Sequence, residues 1–191
     1  MNSESNSAAP KSFSDGGILP KMIIFDLDYT LWPLWIDTHI TPPIRSSSNH
    51  DGVRDATGQT YKFYKDVPDI LTAIKHCGIK IGIASRTSAP DLGEKILNII
   101  HIKSKNGESK KANEFFDYKE IYPGSKITHF KKLHQSSGIS YREMLFFDDE
   151  RRNKNVESLG VTMYLLEDGM SINEFDNGIR HWRQRYRTIR E

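Results

Sequence analysis

Four short apolar segments interrupt a mostly polar chain, at residues 22–25, 79–84, 144–147 and 161–166. Their hydrophobicity is continuous rather than alternating, which is typical of strands that are covered on both faces in a parallel sheet. A weaker apolar stretch at 115–122 predicts one further short strand. The pattern therefore predicts a sheet built around buried, parallel strands.

Between these strands, apolar residues recur every three or four positions, which predicts amphipathic helices. Asp66 is a candidate N-cap for the first helix, and Ser171 with Glu174 forms a capping box for the last. Strands that alternate with helices indicate one α/β domain over residues 21–191, with a mostly parallel sheet flanked by helices. The helices are predicted to start near residues 66, 88, 125 and 171, with a short helix before residue 160.

Three segments lie outside this alternation. Residues 40–64 are rich in Pro, Ser, Gly and Asp and alternate partly in their last six positions, which predicts a small β-hairpin flap. Residues 103–114 are predicted to be a polar loop. Residues 1–20 lack a hydrophobic pattern and are predicted to be a disordered leader.

Composition narrows the cellular context more than the function. A chain of 191 residues is the size of one domain, and 27 basic against 25 acidic side chains give a net charge of +2, which favours no class of partner. The single cysteine, Cys77, fits a reducing compartment. No apolar run approaches the roughly 20 residues of a membrane span, and the leader lacks the apolar centre of a secretory signal. We expect a monomer without a membrane partner, located in the cytoplasm and with the nucleus as a second candidate location.

Three of the apolar strands end directly in a polar residue: Asp26, Ser85 and Asp148. Right-handed crossovers place the carboxyl ends of parallel strands at one edge of the sheet, where open α/β sheets bind their ligands. We therefore expect these three side chains to surround one ligand, although they are far apart in sequence.

The first strand end carries the strongest chemical signal. Asp26 and Asp28 both leave the strand on a turn, where one carboxylate could attack phosphorus and the other could donate and accept the proton. An isolated pair of aspartates after a strand is more often an acidic turn. The longer string Asp-Leu-Asp-Tyr-Thr-Leu at 26–31, which includes Thr30, favours the catalytic interpretation.

Two further segments supply groups for binding a phosphoryl group. The hydroxyl of Ser85 lies at a strand end, and Arg86 could add a charge-assisted contact. Lys126 lies in the first turn of a helix, where the helix dipole disfavours a cation, so an anion close to it is expected. A helix-capping serine and a solvent-exposed lysine are the alternative interpretations.

The last strand end predicts a metal site. Asp148 and Asp149 are followed by Glu150 and Asn153, and magnesium is commonly held by one or two carboxylates together with water and substrate phosphate. Carboxylates about 4 Å apart repel by roughly 4 kcal/mol at an effective dielectric constant near 20, and a divalent cation reverses this repulsion. An acidic surface turn is the alternative.

The order of these four segments resembles that of the haloacid dehalogenase (HAD) superfamily. The strings at 26–33 (DLDYTLWP), 84–87 (ASRT) and 147–150 (FDDE) resemble, more narrowly, the magnesium-dependent acid phosphatases, a eukaryotic family also described as protein-tyrosine-phosphatase-like. The glycine that usually precedes the fourth motif is missing here. The resemblance covers about residues 21–166 and implies a Rossmann-like core.

Membership in that family would assign a role to each candidate residue. Asp26 would be the nucleophile and Asp28 the acid and base, and both would bind Mg²⁺ together with Asp148. Ser85 and Lys126 would hold the transferred phosphoryl group. The remaining assignments are Arg86 as a substrate contact and Thr30, Asp149 and Asn153 as residues that support the site.

The substrate stays open at this level. About 37 residues separate Asp28 from Asp66, too few for a folded cap domain in addition to the flap, so an open site is expected that admits either a phosphoprotein side chain or a phosphosugar. Trp32, Trp35 and Tyr61 are candidates for its entrance, although core packing is the commoner role of aromatic residues.

Two other functions compete with this one. The first is a protein of the same fold that binds a phosphorylated ligand without turnover. The second is nucleic-acid binding by the basic and aromatic residues at 180–187, but an amphipathic helix with a solvated basic face explains that pattern, so no nucleic-acid partner is expected.

Overall fold

The computed structural model describes residues 9–104 and 107–188. The strands are β1 (Met22–Phe25), β2 (Arg45–Ser46), β3 (Gly52–Arg54), β4 (Thr60–Lys62), β5 (Lys80–Ser85), β6 (His101–Lys103), β7 (Ser109–Lys111), β8 (Tyr118–Ile121), β9 (Met144–Asp148) and β10 (Thr162–Leu165). The α-helices are α1 (Ile36–His39), α2 (Val67–His76), α3 (Pro90–Ile99), α4 (Lys126–Ser137) and α5 (Ile172–Thr188). Short 3₁₀-helical segments are Lys11–Phe13, Ala112–Phe115, Tyr141–Glu143 and Arg151–Leu159.

Five strands form the central sheet in the order β10-β9-β1-β5-β8, and every neighbouring pair is parallel. Strand β1 lies at the centre, with Phe25 beside Ile83 of β5 on one side and beside Phe147 of β9 on the other. All four residues of β1 are buried, as its uninterrupted hydrophobicity predicted. The sheet confirms the predicted α/β architecture, and β8 corresponds to the strand predicted at 115–122.

Alternate residues of the strands face two separate hydrophobic layers, as the period of two in a strand requires. Ile23 and Phe25 point into the larger layer, which contains the apolar faces of α2, α3 and α5. Met22 and Ile24 point into the smaller layer, together with Phe130 of α4. The sheet is therefore covered on both faces, and its carboxyl edge stays free for a site.

The segment after β1 forms a small antiparallel sheet of three strands in the order β2-β3-β4, rather than the two-stranded flap that the sequence predicted. The structure also differs at 103–114, where β6 and β7 pair as an antiparallel hairpin in place of a polar loop. All three side chains of β7 are exposed, so no hydrophobic pattern marks this strand in the sequence. The described residues form no separate cap domain.

The N-terminal segment is ordered where the sequence predicted disorder. The backbone N–H groups of Lys11 and Ser12 donate to Asp176 on α5, at 3.1 and 2.9 Å. Arg183, about two turns further along α5, binds the carboxylate of Asp15 and the carbonyl oxygen of Ile18. These contacts correct the prediction for residues 9–20, and residues 1–8 lie outside the described range.

The predicted helix caps are only partly present. The hydroxyl of Ser171 accepts the backbone N–H of Glu174 at 3.2 Å, which is one of the two bonds of the predicted capping box. Ser125 caps α4 by accepting a hydrogen bond from the N–H of Ile127. Asp66 makes no capping bond to α2 and instead accepts the N–H of Ile172, at 3.0 Å, in the first turn of α5. The tertiary fold thus assigns this carboxylate to a helix that begins 106 residues later. In the part of the chain that the structure describes, no helix has the length and hydrophobicity needed to cross a membrane.

Candidate active site

Side chains from β1, β5, β9 and the start of α4 converge at the carboxyl edge of the central sheet. A cleft of about 300 Å³ lies there. It is lined by Asp26, Asp28, Trp35, Asp37, Thr38, Ser85, Arg86, Thr87, Lys126, Asp149, Glu150 and Arg152. A larger cleft of about 540 Å³ lies between α2 and the β6–β7 hairpin, but its lining contains no pair of strand-end carboxylates and does not include the predicted site residues.

Lys126 connects the first and last strand ends. Its Nζ lies 2.6 Å from Oδ1 of Asp26 and 3.0 Å from Oδ2 of Asp148, and it also donates to the carbonyl oxygen of Ala84. The side chain of Lys126 is only 1% exposed. The anion that the sequence analysis expected beside this lysine is therefore a pair of buried carboxylates, and the solvent-exposed alternative is wrong.

The charges of this cluster are not balanced by the lysine alone. Burial raises the pKa of Asp26, Lys126 opposes this effect and the charge of Asp148 adds to it, so that the net shift is upward. For Lys126, burial lowers the pKa, but Asp26 and Asp148 outweigh it and the net shift is again upward. Two buried carboxylates that face one ammonium group form a site with a surplus of negative charge, which favours the binding of a cation.

The donor set fits magnesium. Asp26 and Asp148 offer hard carboxylate oxygens around one point, and a magnesium site needs only one or two carboxylates besides water and phosphate. Among residues 9–104 and 107–188, no group of three or more His, Cys, Asp and Glu side chains is arranged as a metal cage.

Asp28 has the environment of a proton carrier. Its Oδ1 accepts the indole N–H of Trp32 at 2.8 Å, and its Oδ2 accepts the N–H of Ile36 at 3.3 Å. Burial raises the pKa of Asp28 to about 6, against the effect of the Trp32 hydrogen bond. A carboxyl group with a pKa near neutrality can both donate and accept a proton under physiological conditions.

Asp148 is held in place by amide groups. Asn153 donates to both of its oxygens, at 3.0 and 2.9 Å, and the N–H of Glu150 donates at 2.7 Å. Arg86 in turn donates to the amide oxygen of Asn153 at 3.1 Å. Asn153 therefore orients a candidate metal ligand, and Arg86 is tied to it while still lining the cleft.

The other predicted residues differ in how they meet the site. Ser85 is buried, and its hydroxyl accepts the N–H of Thr87 at 3.4 Å. Asp149 lines the cleft, and burial raises its pKa to about 6, with Asp148 adding to the shift. Thr30 is buried, but its hydroxyl has no hydrogen-bond partner among the described residues, so the support expected from this side chain is not visible.

The three aromatic residues that were candidates for the entrance of the site lie in different environments. Trp32 is 1% exposed and stacks on Phe63, so it belongs to the core. Tyr61 donates its hydroxyl to the carbonyl oxygen of His39 and does not line the cleft. Trp35 lines the cleft and is 50% exposed.

Sequence reasoning missed three residues of the rim, Asp37, Thr38 and Arg152. They lie on α1 and on the 3₁₀ segment after β9, and no residue pattern marks them as part of a site.

The chain matches one protein family and is similar to several known proteins. Residues 18–185 match the acid phosphatase family. A HAD-like hydrolase superfamily protein of Schizosaccharomyces pombe, P8B7.31, is 51% identical over 144 residues, which cover 75% of this chain and 83% of that protein. The human protein magnesium-dependent phosphatase 1 is 44% identical over 163 residues, which cover 84% of this chain and 86% of that protein.

Solved structures of more distant proteins share the fold. A HAD family enzyme of Bacteroides thetaiotaomicron, in complex with magnesium and inorganic phosphate, superposes with a TM-score of 0.57 at 16% identity, covering 80% of this chain and 96% of that one. The N-terminal part of the protein BF1531 of Bacteroides fragilis gives a TM-score of 0.55 at 17% identity, covering 91% of this chain and 42% of that one. At such low identity the likeness shows the fold alone.

Proposed function

The chain belongs to the acid phosphatase family and is a magnesium-dependent phosphatase of the HAD superfamily, and we propose that it hydrolyses phosphate monoesters through an aspartyl-phosphate formed on Asp26. The observation that carries this proposal is the position of Asp26. Its carboxylate lies at the end of the central strand, is bound to the buried Lys126 at 2.6 Å, and lines the same cleft as Asp28.

In the first half of the reaction, an oxygen of Asp26 attacks phosphorus and the bond from phosphorus to the ester oxygen breaks. Asp28, whose pKa is raised to about 6, gives its proton to the departing oxygen, so an alcohol or phenol leaves. Lys126 and Ser85 hold the oxygens of the phosphoryl group during transfer. Asp26, Asp28 and Asp148 would hold magnesium, which when bound would supply positive charge that offsets the charge of the carboxylates and the phosphate.

In the second half, water attacks the phosphorus of the aspartyl-phosphate. The carboxylate of Asp28, now without its proton, takes one proton from the water, and inorganic phosphate and the free carboxylate of Asp26 result. Asn153 keeps Asp148 oriented through both halves, since its amide donates to both oxygens. Arg86 and Asp149 line the substrate side of the cleft in this scheme.

We propose a site that is open to large substrates, either a phosphoprotein side chain such as phosphotyrosine or a phosphosugar. The insertion between Asp28 and Asp66 forms the three-stranded β2–β4 sheet and no separate domain, which supports this proposal. A monomer located in the cytoplasm or nucleus, without nucleic-acid or membrane partners, remains our expectation. The competing function is binding of a phosphorylated ligand without turnover.

The test is hydrolysis of p-nitrophenyl phosphate by the wild type and by Asp26→Asn, each with magnesium and with EDTA. Asp91→Asn is a matched control, because Asp91 is an exposed aspartate in the first turn of α3. We expect activity only for the wild type and the control, and only with magnesium, with a loss in Asp26→Asn of about 10⁴-fold or more. Near-normal activity of a folded Asp26→Asn protein would refute the assignment of Asp26 as the nucleophile.

A folded wild type that is inactive under every condition would favour ligand binding without turnover. Circular dichroism of each variant decides whether it is folded, and binding of inorganic phosphate then measures the alternative function directly.

A further inference from the structure

Strand β10 forms one edge of the central sheet, and a groove opens beside it. Within the sheet, β10 pairs only with β9. The groove measures about 260 Å³ and is lined by Arg151, Lys154, Met163, Tyr164, Leu165 and His181. An edge strand that is not covered can pair with a strand from another chain.

The groove lies beyond the free edge of β10, because its two walls belong to opposite faces of the sheet. Val156 of the 3₁₀ segment Arg151–Leu159 packs in the smaller hydrophobic layer. Ile179 and Trp182 of α5 pack in the larger layer on the other face. A cavity that touches both of these elements and β10 therefore lies between them, at the side of β10 that faces away from β9.

The backbone of β10 presents unpaired hydrogen-bonding groups to this groove. The N–H of Leu166 donates to the carbonyl oxygen of Asp148, so the peptide groups of Met163 and Leu165 point away from β9, because successive residues of a strand alternate in direction. The N–H of Met163 donates to the carboxylate of Glu157 at 3.4 Å. The C=O of Met163 and both groups of Leu165 have no partner in the part of the chain that the structure describes.

The wall formed by the 3₁₀ segment is basic, and its side chains Arg151 and Lys154 are both exposed. Neither of them has an ion pair or a side-chain hydrogen bond with another described residue. Glu157, which contacts the strand edge, is already bound to Arg185 at 2.5 Å. This basic wall therefore carries two uncompensated positive charges, which favour acidic side chains in a ligand.

The wall formed by α5 is aromatic and neutral. The imidazole of His181 meets the ring of Tyr164, with centroids 6.0 Å apart, and both side chains are partly buried. Burial, together with the charges of Arg185 and Lys154, lowers the pKa of His181, so the imidazole is uncharged at pH 7. This aromatic wall offers two ring surfaces to apolar side chains.

The two walls fit an extended peptide in which acidic and apolar residues alternate. Successive side chains of a strand point to opposite faces, so one set meets the basic wall while the other meets the aromatic wall. A second copy of β10 fits less well, because Thr162–Leu165 contains no acidic side chain.

We propose that this groove is a docking surface for an extended segment of a partner protein with alternating acidic and apolar residues, which binds by adding a strand to β10. Main-chain hydrogen bonds to Met163 and Leu165 position the segment. The basic wall binds its acidic side chains, and the aromatic wall binds its apolar ones. No residue lines both this groove and the catalytic cleft, so the docking surface is independent of the proposed phosphatase function.

Fluorescence anisotropy with a labelled peptide tests this surface. The probe is a short fluorescein-labelled peptide that alternates glutamate and valine, and it is titrated with the full chain. The comparison peptide has the same residues in two blocks, with the glutamates first. We expect saturable binding of the alternating peptide with a Kd below about 1 mM. The block peptide should bind at least about 5-fold more weakly, because only the alternating order presents acidic side chains to one wall and apolar ones to the other.

Two variants locate the binding. The double charge reversal Arg151→Glu with Lys154→Glu should weaken binding of the alternating peptide by about 10-fold or more. Its matched control is Lys95→Glu with Lys131→Glu, which changes the net charge equally on exposed positions of α3 and α4 and should leave Kd within about 2-fold. Leu165→Pro removes an outward N–H of the edge strand and should also weaken binding. If Leu165→Pro does not fold, the charge reversal still decides, since it alters only exposed side chains.

Three results would overturn the proposal: no saturable binding by a folded wild type at about 1 mM, equal affinity for the two peptides, or equal losses in the charge reversal and its control. A wild-type dimer in light scattering that Leu165→Pro converts to a monomer would overturn it in favour of a second copy as the occupant. A gain in peptide affinity of about 10-fold on deletion of residues 1–8 would overturn it in favour of the N-terminal segment.

Discussion

Replacement of Lys126 by methionine tests whether the catalytic cluster depends on one buried cation. The side chains of Lys126 and Asp148 are 1% and 0% exposed, and that of Asp26 is 11% exposed. Methionine has a similar length and an apolar end, so the substitution removes the charge with little change in packed volume. Both carboxylates then lose their cationic partner.

The expected loss of stability in Lys126→Met follows from the burial of the three charged side chains. Removing one partner of a buried ion pair typically costs about 3–5 kcal/mol, because the remaining charge is neither solvated nor compensated. In a protein of this size, each kcal/mol of lost unfolding free energy lowers the midpoint of thermal unfolding, Tm, by roughly 2–4 °C. We therefore expect Lys126→Met to lower Tm by about 6–20 °C at pH 7 in the presence of EDTA.

Magnesium should reverse part of this loss. The variant site carries one positive charge less, so it should bind the divalent cation more tightly than the wild type does. A ligand at 100 times its dissociation constant stabilises the folded state by about 2.7 kcal/mol. The increase in Tm on addition of magnesium should accordingly be larger in Lys126→Met than in the wild type.

Differential scanning calorimetry with EDTA and with magnesium measures both effects. Lys131→Met is the control, because Lys131 is an exposed lysine on the same helix, where a surface substitution changes stability by no more than about 0.5 kcal/mol. If Lys126→Met were as stable as this control in EDTA, the buried charge cluster would not stabilise the folded protein. A magnesium response no larger than that of the wild type would contradict the surplus negative charge of the site.

Two further predictions concern the scaffold. Gly178→Ala should destabilise the protein by about 1–3 kcal/mol, because the added Cβ would collide with the buried ring of Phe147. This cost should outweigh the higher helix propensity of alanine. Gly93→Ala in α3 should be tolerated, because the added Cβ would meet its neighbours at 3.4 Å or more. Urea unfolding measures the free energy of unfolding of both variants. Equal stabilities would show that α5 can move away from the sheet and accommodate the added Cβ. Burial alone would raise the pKa of Asp117, but Lys75 and the backbone N–H of Ile81 hold this pKa below its usual value. The ionised carboxylate therefore stabilises the folded protein fully at pH values above the unfolded-state pKa of about 3.9. This stabilisation is lost as the pH falls through the pKa of the folded state. Asp117→Asn should thus cost about 1–2 kcal/mol at pH 7, and this cost should shrink as the pH is lowered below about 3.9. A cost that stayed constant down to the acid limit of folding would contradict the ionic origin.

Most of the side chains that meet at the candidate active site could be predicted from the sequence alone. A strand that is buried on both faces is apolar along its whole length, so its end is visible as the first polar residue, as at Asp26, Ser85 and Asp148. Parallel topology brings such ends to one edge of the sheet. The lysine at 126 was identifiable because its charge opposes the helix dipole at that position.

Other features were decided only by the tertiary structure, because long-range contacts leave no local pattern. Residues 9–20 are ordered through Asp176 and Arg183, more than 160 positions away, and Asp66 caps a helix other than the one it precedes. The hairpin strand β7 is fully exposed and thus has no hydrophobic period to reveal it.

The same distinction applies to the aromatic residues at the cleft. Trp32 and Trp35 are chemically identical and three positions apart, yet one is 1% and the other 50% exposed. The sequence determines that both lie close to the loop that carries Asp26 and Asp28. Only the tertiary packing, in which Phe63 stacks on Trp32 while Trp35 lines the cleft, decides which of them can meet a substrate.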